Sequence, residues 1–242
     1  MSFKLTYKIY SEHSILVEWK PVIDKDVLND ILAFKTKIEA TITTNVQVTT
    51  AYNSLLVIFN DFKVDLSTKV TLLKGLYAEV LTVASVTKTL FKIPVCYDTD
   101  FGIDLEFVAQ EKGVSISEII QQHTAPIYTV YFIGFLPGFL YLGGLPEDLA
   151  TPRKETPRLK VTKGAVAIGG NQTGIYPVES PGGWNIIGNS PLSFFDASLT
   201  IPCFAKAGDA IQFYSVTKKE YNDIKTLVEA KVYQIKSEVY NG

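Results

Sequence analysis

The sequence has few of the residue types from which self-contained reactive sites are built. Its 242 residues include only two cysteines and two histidines, and their spacing resembles no metal site and no disulfide framework. Lysine and arginine total 23 against 25 acidic residues, so the formal net charge is −2 and nucleic-acid binding is not expected. With 20% charged and 12% aromatic residues, the composition also excludes a disordered chain.

One long apolar stretch stands out. Residues 127–145 are almost wholly apolar, which is long enough to cross a membrane. Pro137 lies in the middle of this stretch among several glycines, and no basic cluster flanks it to set an orientation. We therefore predict a buried strand that runs into a turn, and no membrane span. The first residues lack the apolar run of a signal peptide, so we expect a cytoplasmic protein.

The distribution of glycine and proline divides the chain into two parts. In residues 1–93, strand-like segments alternate with helical ones that begin near Asp24 and Asp65, which favours a small two-layer α/β domain. Of the 16 glycines, 11 lie between residues 134 and 188, a density that helices do not tolerate. Residues 94–242 are therefore predicted to form a β domain with a closed or nearly closed sheet, after two short helices. Its expected strands include residues 161–168, 192–196 and 210–215, and a helix is expected over residues 218–236.

Arginine is the scarcest of the charged residue types. Against 21 lysines, the chain has only Arg153 and Arg158, and each follows a proline. A guanidinium group grips a carboxylate or phosphate with two parallel hydrogen bonds, whereas a lysine acts as a point charge. We expect at least one of the two arginines to bind an anion. The alternative is a structural ion pair with a nearby carboxylate, for which the candidates are Glu147, Asp148, Glu155 and Glu179.

The stretch from residue 164 to residue 195 carries one charge and many neutral hydrogen-bonding groups. The Gly169-Gly170 pair would let backbone amides converge on an anion or oxyanion. Trp184 is either a core residue or a stacking wall for a planar ligand. Ser180 lacks the Gly-x-Ser-x-Gly context of a hydrolase nucleophile, and His123 is expected to cap the end of a helix. Neutral hydrogen bonds near the glycines would come from Asn171, Gln172, Thr173 and Tyr176.

Several segments occur in an order that is typical of one protein family. The matching motifs are Ile93-Pro94-Val95-Cys96-Tyr97-Asp98, Gly102-x-Asp104-Leu105, Gly134-Phe135-Leu136-Pro137-Gly138-Phe139-x-Tyr141-Leu142-Gly143-Gly144-Leu145, the two Pro-Arg pairs, Gln172-Thr173-Gly174-Ile175-Tyr176-Pro177 and Ser180-Pro181-Gly182-Gly183-Trp184. On these motifs the chain resembles the PxpB family, the B subunits of prokaryotic 5-oxoprolinase, which is also called the KipI or allophanate hydrolase subunit 1 family.

This resemblance implies a fold, an activity and partners. The fold is α+β, with a ferredoxin-like α/β domain over residues 1–93 and a cyclophilin-like β-barrel over residues 94–242. The activity is ATP-dependent conversion of 5-oxo-L-proline to L-glutamate, shared with the A and C subunits of 5-oxoprolinase, and this chain supplies neither a nucleotide motif nor an evident general base. Arg153 and Arg158 would hold the substrate carboxylate or a transferring phosphate. The other pocket candidates are Asn171, Gln172, Thr173, Tyr176, Ser180 and Trp184, and no metal ligand is assigned.

The family also leaves two other functions open. One branch inhibits the autophosphorylation of a sporulation histidine kinase, and the apolar residues 134–145 could serve as the docking surface for a kinase. Related domains form the carboxyltransferase part of urea carboxylase, which would require a biotin-bearing partner. The chain departs from the family pattern at Asn189, where an arginine is usual, and this change removes one expected cation from the pocket.

Overall fold

The computed structural model describes residues 3–79 and 87–240 and contains both helices and sheets. Contacts between residues divide the chain into two units, Met1–Val86 and Thr87–Gly242. Each unit has its own cluster of buried apolar side chains. The predicted α+β class is confirmed.

The first unit is a four-stranded antiparallel sheet with two helices that contact the sheet and each other. The carboxylates of Asp24 and Asp65 each accept two backbone amides in the first helical turn, so both predicted helix starts are confirmed. The predicted end of the second helix, near residue 84, lies outside the described residues. Along the chain, the elements are β1 (Thr6–Ser11), β2 (Ser14–Glu18), α1 (Lys25–Thr41), β3 (Val46–Thr50), β4 (Ser54–Phe59) and α2 (Leu66–Ala78). In the sheet, the strands lie in the order β1-β2-β4-β3.

The described residues of the second unit form ten strands and three α-helices. The strands are β5 (Lys88–Val95), β6 (Tyr128–Ile133), β7 (Leu140–Gly143), β8 (Arg158–Val161), β9 (Ala165–Gly169), β10 (Gln172–Ile175), β11 (Ser180–Gly182), β12 (Asn185–Asn189), β13 (Ala210–Ser215) and β14 (Lys236–Tyr240). The helices are α3 (Leu105–Lys112), α4 (Ile116–Thr124) and α5 (Lys218–Glu229). Among the described residues, no helix is both long enough and apolar enough to cross a membrane.

Eight of these strands form one sheet in the order β12-β9-β10-β7-β6-β13-β5-β14, and β8 pairs separately with β11. The backbones of Cys96 and Asn189 exchange two hydrogen bonds of 2.9 and 3.0 Å. This bridge joins the end of β5 to the end of β12, so the sheet curls until its first and seventh strands meet at one point. A closed barrel of the cyclophilin type is not confirmed by this pairing.

The strand β5 belongs to the second unit. Its position after a helix in the sequence favours the first domain, with a boundary after residue 93. In the structure, β5 pairs in parallel with β13 and antiparallel with β14, and both of these partners come from the second unit. Long-range pairing of this kind leaves no signal within the strand itself.

Several predicted elements of the second unit differ from the structure. Residues 192–196 are not a strand, although Leu192 and Phe194 are buried. The strand expected over residues 161–168 is split into β8 and β9 by a turn at Gly164, whose φ is 82°. The helix expected over residues 218–236 ends at Glu229, and the chain returns as β14. The strand at residues 210–215 and the strand–turn character of residues 127–145 are confirmed.

Alternation along the strands separates two apolar clusters in the second unit. The large core contains Ile168 and Ile175 together with most buried side chains of the unit. The neighbouring positions on β9 and β10 face the other side of the sheet, because successive side chains of a strand point to opposite faces. There they join a second group, which we call the aromatic cluster: Phe139, Val161, Ala165, Ala167, Tyr176, Trp184 and Ile186, with Leu136 and Tyr141 packed against them.

Candidate functional site

Arg153 lies over the ring of Trp184. The guanidinium carbon is 5.5 Å from the ring centroid, within the range of a cation–π contact. Trp184 is only 5% exposed, and its ring packs edge-on against Phe139 and Tyr141. Trp184 is therefore a core residue that also carries a cation on its ring. Arg153 is exposed and makes no ion pair with any residue in the described ranges.

The glycines near Trp184 leave room for the indole ring. A Cβ atom at Gly169 would lie 2.5 Å from the ring, and one at Gly174 would lie 3.1 Å from it. Gly170 lies in the turn that joins β9 to β10, and its amide donates to the carbonyl of Thr151 at 2.7 Å. This amide was predicted to face an anion, but it is engaged within the chain. The glycines instead accommodate a large aromatic side chain close to the sheet.

Two tyrosines of this region are sensitive to the charge of Arg153. Burial raises the pKa of Tyr141, and the positive charge of Arg153 opposes that rise. Burial also raises the pKa of Tyr176, opposed by a hydrogen bond from the Trp184 amide and by the charges of Arg153 and Arg158. Both phenols therefore stay protonated at neutral pH and can donate hydrogen bonds.

Arg158 is held in an ion pair with a buried carboxylate. Its Nη2 atom donates to Oδ1 of Asp104 at 2.6 Å, and the same oxygen is 2.9 Å from Nζ of Lys154. The other carboxylate oxygen accepts the amide of Ile186 at 2.8 Å. Asp104 is 4% exposed. Burial raises the pKa of this carboxyl, but the hydrogen bonds from Arg158, Lys154 and Ile186 outweigh that effect, and the pKa lies below its usual value.

The structural ion pair expected for an arginine therefore exists, but none of the four predicted carboxylates forms it. Glu179 pairs with Lys160 at 3.1 Å instead. Asp104 is far from Arg158 in the sequence, so proximity along the chain could not identify it. In the sequence, Asp104 was marked only by its place in the Gly-x-Asp-Leu motif.

Thr173 faces away from the Arg153 region. Its hydroxyl donates to the carbonyl of Ala167 at 3.0 Å and lies 2.9 Å from Nε2 of His123, and both side chains are completely buried. Nδ1 of His123 lies 2.7 Å from the hydroxyl of Tyr97, and its ring stacks on Phe213. His123 lies in the last turn of α4, but the predicted capping role is wrong because the side chain points into the large core.

The remaining predicted residues lie at several places. Asn171 is exposed at the tip of the turn between β9 and β10. Gln172 begins β10 and shares the face of Gly174. The hydroxyl of Ser180 donates to the carbonyl of Pro181 at 3.2 Å. Asn189 is buried and bonded to Lys163 and Tyr221, so both ends of its amide are engaged.

Of the predicted site residues, the structure brings Arg153, Tyr176 and Trp184 together. Asp104, Lys154 and the aromatic neighbours of Trp184 were not predicted from the sequence. Period-two alternation in residues 139–143 could have placed Tyr141 on the same face as Phe139.

Positive charge is in excess near Trp184. Of the cations Arg153, Lys154 and Arg158, the last two share one buried carboxylate, that of Asp104, and Arg153 lies over Trp184. Such a surface can bind a small anion with an apolar part. No group of three or more potential metal ligands occurs among the described residues.

Comparison with known proteins places the chain in a family. Residues 5–205 match the family described as carboxyltransferase domain, subdomain C and D. The 5-oxoprolinase B subunit of Haemophilus influenzae is 48% identical over 168 residues, which cover 69% of this chain and 78% of that protein. The 5-oxoprolinase B subunit of Bacillus subtilis is 43% identical over 148 residues, which cover 61% of this chain and 62% of that protein.

A solved structure extends the comparison at the level of the fold. The crystal structure of the K. lactis urea amidolyase matches 99% of this chain with a TM-score of 0.82, although only 20% of the aligned residues are identical. The match covers 16% of that longer chain. The fold and the sequence matches agree, and the chain belongs to the family of carboxyltransferase subdomains C and D, together with the 5-oxoprolinase B subunits.

Proposed function

We propose that this chain is the B subunit of a cytoplasmic, ATP-dependent 5-oxoprolinase that converts 5-oxo-L-proline to L-glutamate together with the A and C subunits. The 48% identity to a 5-oxoprolinase B subunit supports this function. One observation locates the proposed site. The guanidinium of Arg153 is exposed, lies over Trp184 and makes no ion pair with any of the described residues.

In this proposal, Arg153 binds the carboxylate of the substrate. A guanidinium that contacts an aromatic ring keeps its in-plane N–H donors for a carboxylate. Tyr141 and Tyr176 would contribute neutral donors near the lactam, and the aromatic cluster would exclude water from its ring. Arg158 would support this surface through Asp104 and would not contact the substrate.

The Gly169-Gly170 turn does not fit the phosphates of ATP. The Gly169-Gly170 turn lacks a following Gly-Lys-Ser/Thr, and the amide of Gly170 is bonded to Thr151. We therefore propose that the A or C subunit holds the nucleotide, and we assign no step of its chemistry to this chain.

The experiment is an ATP-dependent assay of glutamate release from 5-oxo-L-proline with this chain and its candidate A and C subunits. Activity should disappear when this chain is omitted. Arg153→Ala should raise KM about tenfold, equivalent to about 1.4 kcal/mol, and Arg153→Lys should recover only part of the loss. Equal activity with and without this chain would reject the function, and an unchanged KM in Arg153→Ala would reject the site.

A carboxyltransferase role is a second candidate, because the matched family carries that description and the K. lactis urea amidolyase shares the fold. The two functions differ in their requirement for a biotin-bearing partner. Transfer of labelled carboxyl groups from such a partner, with no release of glutamate from 5-oxo-L-proline, would favour the carboxyltransferase.

We also propose that the two units have ferredoxin-like and cyclophilin-like folds. The order β2–α1–β3–β4–α2, with β1 beside β2 where the last strand of a ferredoxin-like fold would lie, supports the first assignment. The Cys96–Asn189 bridge between the first and seventh strands supports the second. An experimental structure in which β5 and β12 remain unpaired beyond this bridge would reject the barrel.

A further inference from the structure

The side chain of Asn185 connects the strand after Trp184 to the loop that carries Arg153. Asn185 is completely buried, and its Nδ2 atom donates to the carbonyl of Pro152 at 2.8 Å and faces the carbonyl of Ile168 at 3.4 Å. Two carbonyl oxygens can be satisfied only by the NH₂ end of the amide, so these contacts fix its orientation. The carbonyl of Pro152 directly precedes Arg153.

A second bond joins the same two segments on the other side. The amide of Lys154 donates to the carbonyl of Gly183 at 2.7 Å. Pro152 and Lys154 flank Arg153 in the chain, and Gly183 and Asn185 flank Trp184. Each residue that flanks Arg153 is thus bonded to a residue that flanks Trp184. We call these two bonds the Arg153 clamp. The clamp fixes the backbone next to Arg153 and next to Trp184.

Asn185 occupies its position at a cost in stability. Among the described residues, its Oδ1 atom has no hydrogen-bond donor although it is buried. A buried acceptor without a donor destabilises the folded chain, because it loses the hydrogen bonds that water gives it in the unfolded state. The stabilising contacts of this side chain are those of Nδ2, and the shorter one goes to the loop of Arg153.

We propose that Asn185 is a positioning residue for the anion site: through Pro152 it holds Arg153 over Trp184. Asp104 fixes the later part of the same loop through Lys154 and Arg158, so Asn185 and Asp104 act on different points of it. The inference rests on the proposed function only for the identity of the anion, which would be the carboxylate of 5-oxo-L-proline.

The test compares Asn185→Ala with Asn189→Ala. Both residues belong to β12, both are buried, and Nδ2 of Asn189 also donates to a backbone carbonyl, that of Lys163, at 2.9 Å. Asn189 has no bond to the loop of Arg153. Asn185→Ser serves as a second variant if the alanine variant fails to fold.

The first measurement is the NMR signal of the arginine Nε–H groups, which needs no activity. The chain has only two arginines, and Arg158→Lys identifies the signal of Arg153. In Asn185→Ala or Asn185→Ser, the Arg153 signal should lose its ring-current shift and gain motion, whereas Asn189→Ala should leave it unchanged. An unchanged Arg153 signal in a folded Asn185 variant would overturn the proposal.

The second measurement is a double-mutant cycle in the complex. Asn185→Ala should raise the KM for 5-oxo-L-proline about fivefold with little change in kcat, and it should add nothing in the Arg153→Ala background. Additive effects would overturn the positioning role. A complex without any 5-oxoprolinase activity would reject the proposed function, and the NMR comparison would still decide the role of Asn185.

Discussion

The two faces of β10 place neighbouring residues in different chemical surroundings. Thr173 faces the large core, where its hydroxyl is bonded to His123 and Ala167. Gly174 and Tyr176 face the aromatic cluster, where the nearby guanidinium of Arg153 has no ion pair among the described residues. On the first face the polar groups complete one another, and on the second a cation keeps its capacity for an external anion. Burial alone does not distinguish the two faces of β10. They differ in whether each hydrogen-bonding group has a partner within the described chain.

The polar group of the large core requires a neutral histidine. The hydroxyl of Thr173 donates to Ala167, so its oxygen accepts the Nε2–H group of His123. Nδ1 must then accept the hydroxyl proton of Tyr97. Burial lowers the pKa of His123 to about 3, which agrees with a neutral ring.

Removing His123 should have the largest effect on stability. His123→Ala would leave a cavity and deprive the buried hydroxyls of Tyr97 and Thr173 of their partner. We expect the free energy of unfolding to fall by about 4 kcal/mol. Urea unfolding monitored by circular dichroism measures this loss. A loss below about 1 kcal/mol would show that the histidine contributes little to the large core.

Removing Arg158 should have the next largest effect. Arg158→Ala would leave the buried carboxylate of Asp104 with Lys154 and the Ile186 amide, and we expect a loss of about 3 kcal/mol in the free energy of unfolding. Lys160→Ala is the matched control on the same strand, because Lys160 forms an exposed ion pair with Glu179. The control should change stability by less than about 0.5 kcal/mol. Equal losses in both variants would contradict the structural role of Arg158.

Acid should weaken the large core before it affects the carboxylates. The folded pKa of His123, about 3, lies below its ordinary value of 6.5, so the unfolded chain binds the extra proton first. Stability is therefore complete above pH 6.5 and declines as the pH falls toward 3. Between pH 6.5 and 5 we expect a loss of about 2 kcal/mol in the free energy of unfolding.

Urea unfolding at these two pH values measures the decline. His123→Gln should abolish most of it, and replacement of the exposed His13 by glutamine should preserve it. The same decline in both variants would show that other groups cause the acid sensitivity.

Removing Arg153 should have the smallest effect on stability. Its side chain is exposed, and its contact with Trp184 contributes about 0.5 kcal/mol. Arg153→Ala should therefore unfold at nearly the urea concentration of the parent protein. A loss above about 2 kcal/mol would show that Arg153 is a structural residue, and the contrast between the two faces of β10 would then no longer hold.

Local features of the fold could be predicted from the sequence. The helix starts at Asp24 and Asp65 depend on a few neighbouring residues, and both are confirmed. The partners of β5 could not be predicted, because strand pairing depends on residues more than a hundred positions away.

For the candidate site, the sequence indicates residue types but only part of their arrangement. The scarcity of arginine singles out Arg153 and Arg158, but the two Pro-Arg pairs look equivalent in the sequence. Only the fold brings Asp104 to one arginine and Trp184 to the other. Likewise, Gln172 and Thr173 are neighbours in one polar segment of the sequence, and the alternation of β10 sends their side chains to opposite faces.

The close contact of Trp184 with Gly169 and Gly174 restricts the order in which this site can change. Any larger residue at position 169 would overlap the indole, so a tryptophan at position 184 is accessible only to a chain that already has glycine there. In the reverse direction, the tryptophan must be replaced by a smaller residue before the glycine can be replaced, and Arg153 loses its aromatic contact at that first step. Replacement of Gly169 would therefore proceed through an intermediate in which Arg153 has no aromatic partner at position 184, so positions 153, 169 and 184 constrain one another.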